Sequence, residues 1–324
     1  MRRAHYLARG DRATGAHAAG TEVGLQVPAQ VEYEKATSVE HVLALLARYG
    51  PGARILAGGH SLIPMMKLRL AQPEMLIDIN GLDGMSYIEL DDETLKIGAL
   101  ARHADLLASE EAGARFAILH DAERVIADPV VRNWGTIGGS LCQADPSEDL
   151  SAAFAAMKGS MIIRRTGGTR EVSAREFHTG PYETVVGSAE MLTEIRLPVR
   201  PGGGSAYLKV ARRTGDWPVG AVGAAVWVRD AGGGERRIED AGIGLTALGA
   251  THFVAAEAEE YLIGQPPSAP VLARAGEIAA ENCHPVSDQR GPADYKRHLA
   301  QELTTRVLRI AVSRAMAQAS RADG

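Results

Sequence analysis

Two glycine pairs about eighty residues apart are the features best suited to chemistry: Gly58-Gly59 lies in Ala57-Gly58-Gly59-His60-Ser61-Leu62, and Gly138-Gly139 in Thr136-Ile137-Gly138-Gly139-Ser140-Leu141. Glycine removes the Cβ that holds a backbone away from a ligand, and it permits the positive φ that turns successive amide N–H groups toward one anion. Two such loops, with the hydroxyls of Ser61, Thr136 and Ser140 beside them, suit a diphosphate. Neither stands in the strand, GxGxxG, helix frame of a Rossmann domain, and neither carries the Lys-Ser/Thr ending of a P-loop. A different nucleotide fold is implied. A lone Gly-Gly pair would read as an ordinary turn, so it is the pairing of two that points to a ligand.

The rest of the composition narrows the partners. With 324 residues and 45% apolar content, the chain can build two domains with substantial cores. A net charge of −5 with dispersed basic residues lacks the clustered Lys and Arg of a nucleic-acid surface. Cys142 and Cys283 are the only cysteines and have no CxxC spacing, so neither a structural zinc site nor a cysteine-ligated iron–sulfur cluster can come from this chain alone. Any cluster must belong to a partner. Cys283-His284 is a poor chelate with no third ligand nearby, so no metal ligand is assigned. No catalytic acid or base is assigned either; His60 contributes through its backbone. The few cysteines fit a reducing cytoplasm, and no segment approaches the roughly twenty apolar residues that span a bilayer. Met1-Arg2-Arg3 resembles the start of a targeting segment, but His5, Arg9, Asp11 and Arg12 follow instead of an apolar stretch. Residues 1–27 read as a loose extension.

The elements that position the loops come next. Ser38 can cap a helix whose apolar face is Val39, Val42, Leu43, Leu45, Leu46 and Tyr49, stopped by Gly50-Pro51-Gly52. The strand Arg54-Ile55-Leu56-Ala57 then delivers the first loop, and further strands are expected at 75–79 and 94–98. Helices are expected at 101–109 and 117–125. After the second loop, Asp145-Pro146-Ser147-Glu148-Asp149 leads into an apolar helix over 150–157, a strand over 160–164, a hairpin at Gly167-Gly168 and a strand over 191–198. Pro201-Gly202-Gly203-Gly204 reads as a linker, dividing a domain over 28–203 from one over 204–324. The second domain offers long strands at 221–229 and 237–248 and helices at 255–263, 271–282 and 295–317. This is a mixed α+β chain without the regular βα repeats of a doubly wound sheet.

Taken together, Ala57 to Ile79, Asp128 to Asp149 and Lys209 to Trp217 resemble the FAD-binding medium subunit of the molybdenum hydroxylases, the family of carbon monoxide dehydrogenase and xanthine dehydrogenase. Val131-Arg132-Asn133-Trp134-Gly135-Thr136-Ile137-Gly138-Gly139-Ser140 is the most specific element, supported by Pro64, Lys67 and Arg69 after the first loop. The resemblance implies a vanillyl-alcohol-oxidase (PCMH) type FAD-binding domain of two subdomains, followed by a smaller α+β flavoprotein C-terminal domain. It implies a cytoplasmic oxidoreductase subunit. Electrons enter from a small [2Fe–2S] subunit and leave to NAD, a quinone or dioxygen, while a large molybdopterin subunit oxidises the organic substrate, the whole forming a dimer of heterotrimers. The cysteine-rich insertion that carries a [4Fe–4S] cluster in the 4-hydroxybenzoyl-CoA reductase branch is missing here.

For the site, the backbone from Leu56 and Ala57 through Gly58, Gly59, His60, Ser61 and Leu62 would hold the diphosphate. Thr136, Gly138, Gly139 and Ser140 would grip its other side. The resemblance adds Cys142 and Gln143 as lining residues, Ile126 and Leu192 as apolar walls, and Asp149 as acceptor of the ribose hydroxyls. It also implies that Lys209 to Trp217 reaches the isoalloxazine, with Lys209 supplying an ammonium, Asp216 beside it and Trp217 stacking. Without the resemblance, Lys209 and Arg212 read equally as solvated charges, Trp217 as a core aromatic and Cys142 as a buried hydrophobe. Two other functions fit the same residues: a free-standing FAD oxidoreductase with its own substrate pocket, and a flavin-free assembly module.

Overall fold

The Ser38 hydroxyl accepts from the His41 N–H at 3.1 Å and starts the helix Val39–Tyr49, which buries Val42, Leu43, Leu45 and Leu46. That helix covers a three-stranded parallel sheet in the order Glu32–Lys35, Met75–Asp78, Ala53–Leu56. The computed structural model describes residues 27–249 and 253–322, so the extension expected over 1–27 lies almost wholly outside the described residues. Glu32–Lys35 was not legible as a strand: four residues, three of them charged, give no apolar alternation.

A second, antiparallel sheet has the order Ile88–Leu90, Thr94–Gly98, Glu190–Pro198, Ser160–Arg165, Gly168–Ser173. The short helices between Thr94–Gly98 and Ser160–Arg165 pack around it and carry the second glycine pair. The C-terminal region is an antiparallel sheet, Gly203–Ala211, Pro218–Asp230, Arg236–Thr246, Phe253–Val254, backed by the helices Ala269–Asn282 and Ala293–Ala322. Its long strand Pro218–Asp230 is buried on both faces. Ala221, Ala225 and Trp227 join the core of the preceding subdomain, while Val222, Ala224 and Val226 join the core beneath the two helices.

The wholly buried helix Leu150–Ala156 lies directly on this sheet, because its alanines meet glycines. A Cβ built on Gly242 would stand 1.9 Å from the Ala156 carbonyl oxygen. The same close approach corrects one expectation. Pro201-Gly202 is a turn, but Gly203 and Gly204 belong to the strand, and a Cβ on Gly204 would stand 2.2 Å from the Ala311 carbonyl oxygen. Gly204 admits the crossing helix, while a Cβ on Gly203 would stand 2.6 Å from Trp227 Nε1, so both glycines pack within the sheet.

Candidate functional site

The first glycine loop joins Ala53–Leu56 to the short helix Leu62–Lys67. Gly59 has φ +74°, and a Cβ on Gly58 would stand 2.3 Å from the Trp134 carbonyl oxygen. The amides of Gly58, Gly59, His60 and Ser61 donate to no group among the described residues. They are a set of free donors on the wall of a cleft of about 1190 Å³. The loop is held by a relay of polar side chains: Asn80 Nδ2 donates to the Ala57 carbonyl at 2.7 Å, Arg102 Nη2 donates to Asn80 Oδ1 at 2.9 Å, and Arg102 Nη1 donates to the Trp134 carbonyl.

Around the second glycine pair Thr136, Gly139 and Ser140 line the same cleft, but the backbone amides already have acceptors. The pair forms the first turn of the helix Ile137–Gln143, capped by Thr136, whose hydroxyl accepts from the Gly139 N–H at 3.1 Å. The amides of Ile137, Gly138 and Ser140 donate to the carbonyls of Ala101, Ala99 and Thr136. None of the four is left for an anion. Gly138 does not line the cleft; a Cβ there would stand 2.7 Å from the Ala99 carbonyl oxygen, so it serves the seating of this helix on the end of Thr94–Gly98. Gly139 does line it, and a Cβ there would meet the capping Thr136 hydroxyl at 2.6 Å and Ala57 Cβ at 3.9 Å. The two loops thus touch, with the first supplying donors and the second a rigid wall.

Asp149 opens the helix Leu150–Ala156 on the inner wall. Its Oδ1 accepts from the Tyr207 hydroxyl at 2.6 Å and its Oδ2 from Lys209 Nζ at 2.8 Å, and Lys209 also donates to the Val125 carbonyl at 3.1 Å. The two charged side chains are 5% and 4% exposed. Burial, only partly offset by Lys209 and Tyr207, pushes the Asp149 carboxyl up to about 6. Glu148, unassigned from sequence, caps the same helix: its carboxylate accepts from the Leu150 and Ser151 amides at 2.9 and 2.7 Å and from the Ser140 hydroxyl at 3.0 Å. Ser140 therefore ties the two helices together.

The remaining candidates gather in the same cleft: Leu56 to Leu62, Ile126, Cys142, Gln143, Leu192, Asp216 and Trp217 all line it, together with Asp149 and Lys209. Cys142 opens onto the cleft, yet the protein atoms crowding it push its thiol up to about 12, so it stays a neutral thiol. Trp217 is 43% exposed at the cleft, which rules out the core reading, and Lys209 is not a solvated charge. Sequence reasoning missed one rim altogether. The small hairpin His178–Gly180, Glu183–Thr184 places Tyr182 on the cleft, with its amide donating to the Ala144 carbonyl at 2.8 Å.

A parallel-sheet subdomain and an antiparallel-sheet subdomain that share a long cleft, followed by a sheet backed by helices, define a dinucleotide-binding flavoprotein of two α+β subdomains and a C-terminal domain. Comparison with known proteins gives the same class. Residues 29–200 match the FAD binding domain in molybdopterin dehydrogenase, and residues 205–311 match the CO dehydrogenase flavoprotein C-terminal domain. The carbon monoxide dehydrogenase medium chain of Hydrogenophaga pseudoflava is 38% identical over 289 residues, covering 89% of this chain and 99% of the relative. The solved carbon monoxide dehydrogenase from that organism superposes with a TM-score of 0.84 at 39% identity, covering 89% of this chain and 99% of the other. Quinoline 2-oxidoreductase from Pseudomonas putida gives a TM-score of 0.80 at 31% identity, covering 90% and 99%. The chain belongs to the FAD-binding medium subunits of the molybdenum hydroxylase family. It is an FAD-binding oxidoreductase subunit.

Proposed function

We propose that FAD lies along the cleft and that this chain relays electrons, receiving them from a small [2Fe–2S] subunit and passing them to an external acceptor, while a large molybdopterin subunit oxidises the organic substrate. The carrying observation is that one cleft of about 1190 Å³ presents both the free amides of Gly58 to Ser61 and the buried Asp149–Lys209 pair. That volume exceeds the roughly 300–1,000 Å³ of ordinary small-molecule pockets and suits an extended dinucleotide.

In this reading the four amides hold the diphosphate, and Ile126 and Leu192 flank the nucleotide with Cys142 and Gln143 beside it. Asp149 keeps a lone pair on each oxygen for the ribose hydroxyls. Lys209 has one ammonium hydrogen beyond those given to Asp149 and Val125, and Trp217, next to Asp216, offers an aromatic face to the flavin. FAD, when bound, supplies reversible uptake of one or two electrons. Among the described residues no helix is long and apolar enough to cross a membrane. We place the chain in a dimer of heterotrimers whose acceptor is NAD, a quinone or dioxygen.

Reconstitution tests the relay. The three-chain complex should reduce its acceptor, and omitting this chain should abolish that reduction while leaving the partner chains' cofactors in place. Equal acceptor reduction without this chain would sink the relay role, and oxidation of an organic substrate by the isolated chain would favour a free-standing oxidoreductase.

A further inference from the structure

His103 and Glu123 form a second buried polar pair in the cleft wall, and the assignments above leave it without a task. Glu123 is 0% exposed and His103 4% exposed. His103 Nδ1 faces both carboxylate oxygens, at 3.0 and 3.1 Å, so one edge of the ring is committed to Glu123. The opposite edge passes Gly135, where a Cβ would stand 2.9 Å from Cδ2 and 3.5 Å from Nε2. That Gly135 lacks a side chain is what lets the imidazole reach the cleft, which His103 lines. Nε2 has no hydrogen-bond partner among the described residues. Nε2 therefore opens onto the cleft as a polar group that a bound molecule can complete.

The protonation state follows from the surroundings. Burial on its own lowers the His103 pKa, but the charge and hydrogen bond of Glu123 outweigh it, and Glu148 and Asp149 add to the rise. Burial likewise raises Glu123. Both shifts favour the form of the pair that holds two protons. One lies between Nδ1 and the carboxylate, and the other is on Nε2 whichever partner owns the shared one. The cleft thus receives an N–H donor whose direction Glu123 fixes.

We propose that His103 Nε2–H donates to an acceptor oxygen of the bound flavin nucleotide, making His103 a binding residue held in place by Glu123. This rests on the FAD reading above.

Two amide substitutions separate this role from a purely structural one. His103→Gln puts an amide near the position of Nε2, whereas His103→Asn puts one near Nδ1, where it satisfies only Glu123. FAD titration of the full-length protein should show His103→Gln within about threefold of wild type and His103→Asn weaker by about tenfold or more, the range expected for one lost hydrogen bond. The reverse order, or equal affinities, would overturn the proposal. Should either variant fail to fold, wild type decides. Adding FAD should shift the Nε2–H proton resonance of His103 and leave its Nδ1–H resonance nearly in place; an unmoved Nε2–H would also overturn it. Wild type that binds no FAD would instead sink the flavin reading itself.

Discussion

Lys209 Nζ stands 2.8 Å from Asp149 Oδ2, although sixty residues separate them in the chain. The pair joins the C-terminal sheet to the start of the helix Leu150–Ala156, so one residue read from sequence as a ribose ligand and another read as a flavin contact are a single ion pair. Breaking it strands a charge. Asp149→Ala should cost about 3–5 kcal/mol of stability, the usual penalty for an orphaned buried partner. Adding Lys209→Met should recover much of that stability without recovering FAD affinity. Urea unfolding and FAD titration of the single and double variants separate the two effects, and a double variant no more stable than Asp149→Ala would contradict the account.

The same carboxylate gives a pH signature. Its folded pKa of about 6 lies above the roughly 3.9 of an unfolded chain. The native state then binds this proton more tightly, so the contribution to stability is full at the acidic end and is lost as pH rises through about 6. The unfolding free energy of wild type relative to Asp149→Asn should fall by more than about 1 kcal/mol between about pH 4.5 and 6.5. A difference that stays constant would place the Asp149 pKa outside this window.

The two glycine pairs should respond differently. Gly59→Ala places a side chain at φ +74° in the loop of free amides, and Gly138→Ala drives a methyl into the backbone of Ala99. We expect Gly59→Ala to weaken FAD binding about tenfold or more with a smaller effect on the melting temperature of the apoprotein. Gly138→Ala should lower that melting temperature by the equivalent of about 1–3 kcal/mol, the usual cost of overpacking. Comparable FAD loss at matched stability would return the second pair to diphosphate binding.

Glu148→Ala should destabilise the protein by about 2 kcal/mol or more, since it leaves the buried amides of Leu150 and Ser151 without their acceptor. Chemical denaturation measures it directly. A change below about 0.5 kcal/mol would mean that water or another acceptor replaces the cap.

Where neighbours in sequence decide the structure, the sequence was readable. Ser38 and its apolar stripe announced their helix, the alternation in Thr94–Gly98 announced a strand, and Gly58-Gly59 announced the loop that follows the strand Ala53–Leu56. The helix at Ile137–Gln143 was not legible, because a glycine pair inside a capped helix has the same composition as a glycine pair in a free loop, and only the carbonyls of Ala99 and Ala101 distinguish them. The strand at Gly203 and Gly204 was hidden for a related reason: Gly204 answers to the helix Ala293–Ala322, which lies a hundred residues away, and Gly203 to Trp227 on the neighbouring strand. The inner wall was the least legible. Tyr207 and Lys209 meet Asp149 only through the packing of alanines in Leu150–Ala156 against glycines of the C-terminal sheet, and His103 meets Glu123 only because the helices His103–Ala108 and Ala117–Glu123 pack together.

The most direct test is flavin content. Purified full-length chain, saturated with FAD and freed of excess, should be yellow and should release about one equivalent of FAD on denaturation, and Asp149→Ala and Gly59→Ala should release markedly less. Colourless protein that excess FAD cannot load would contradict the assignment of the cleft, whatever the assembled complex goes on to do.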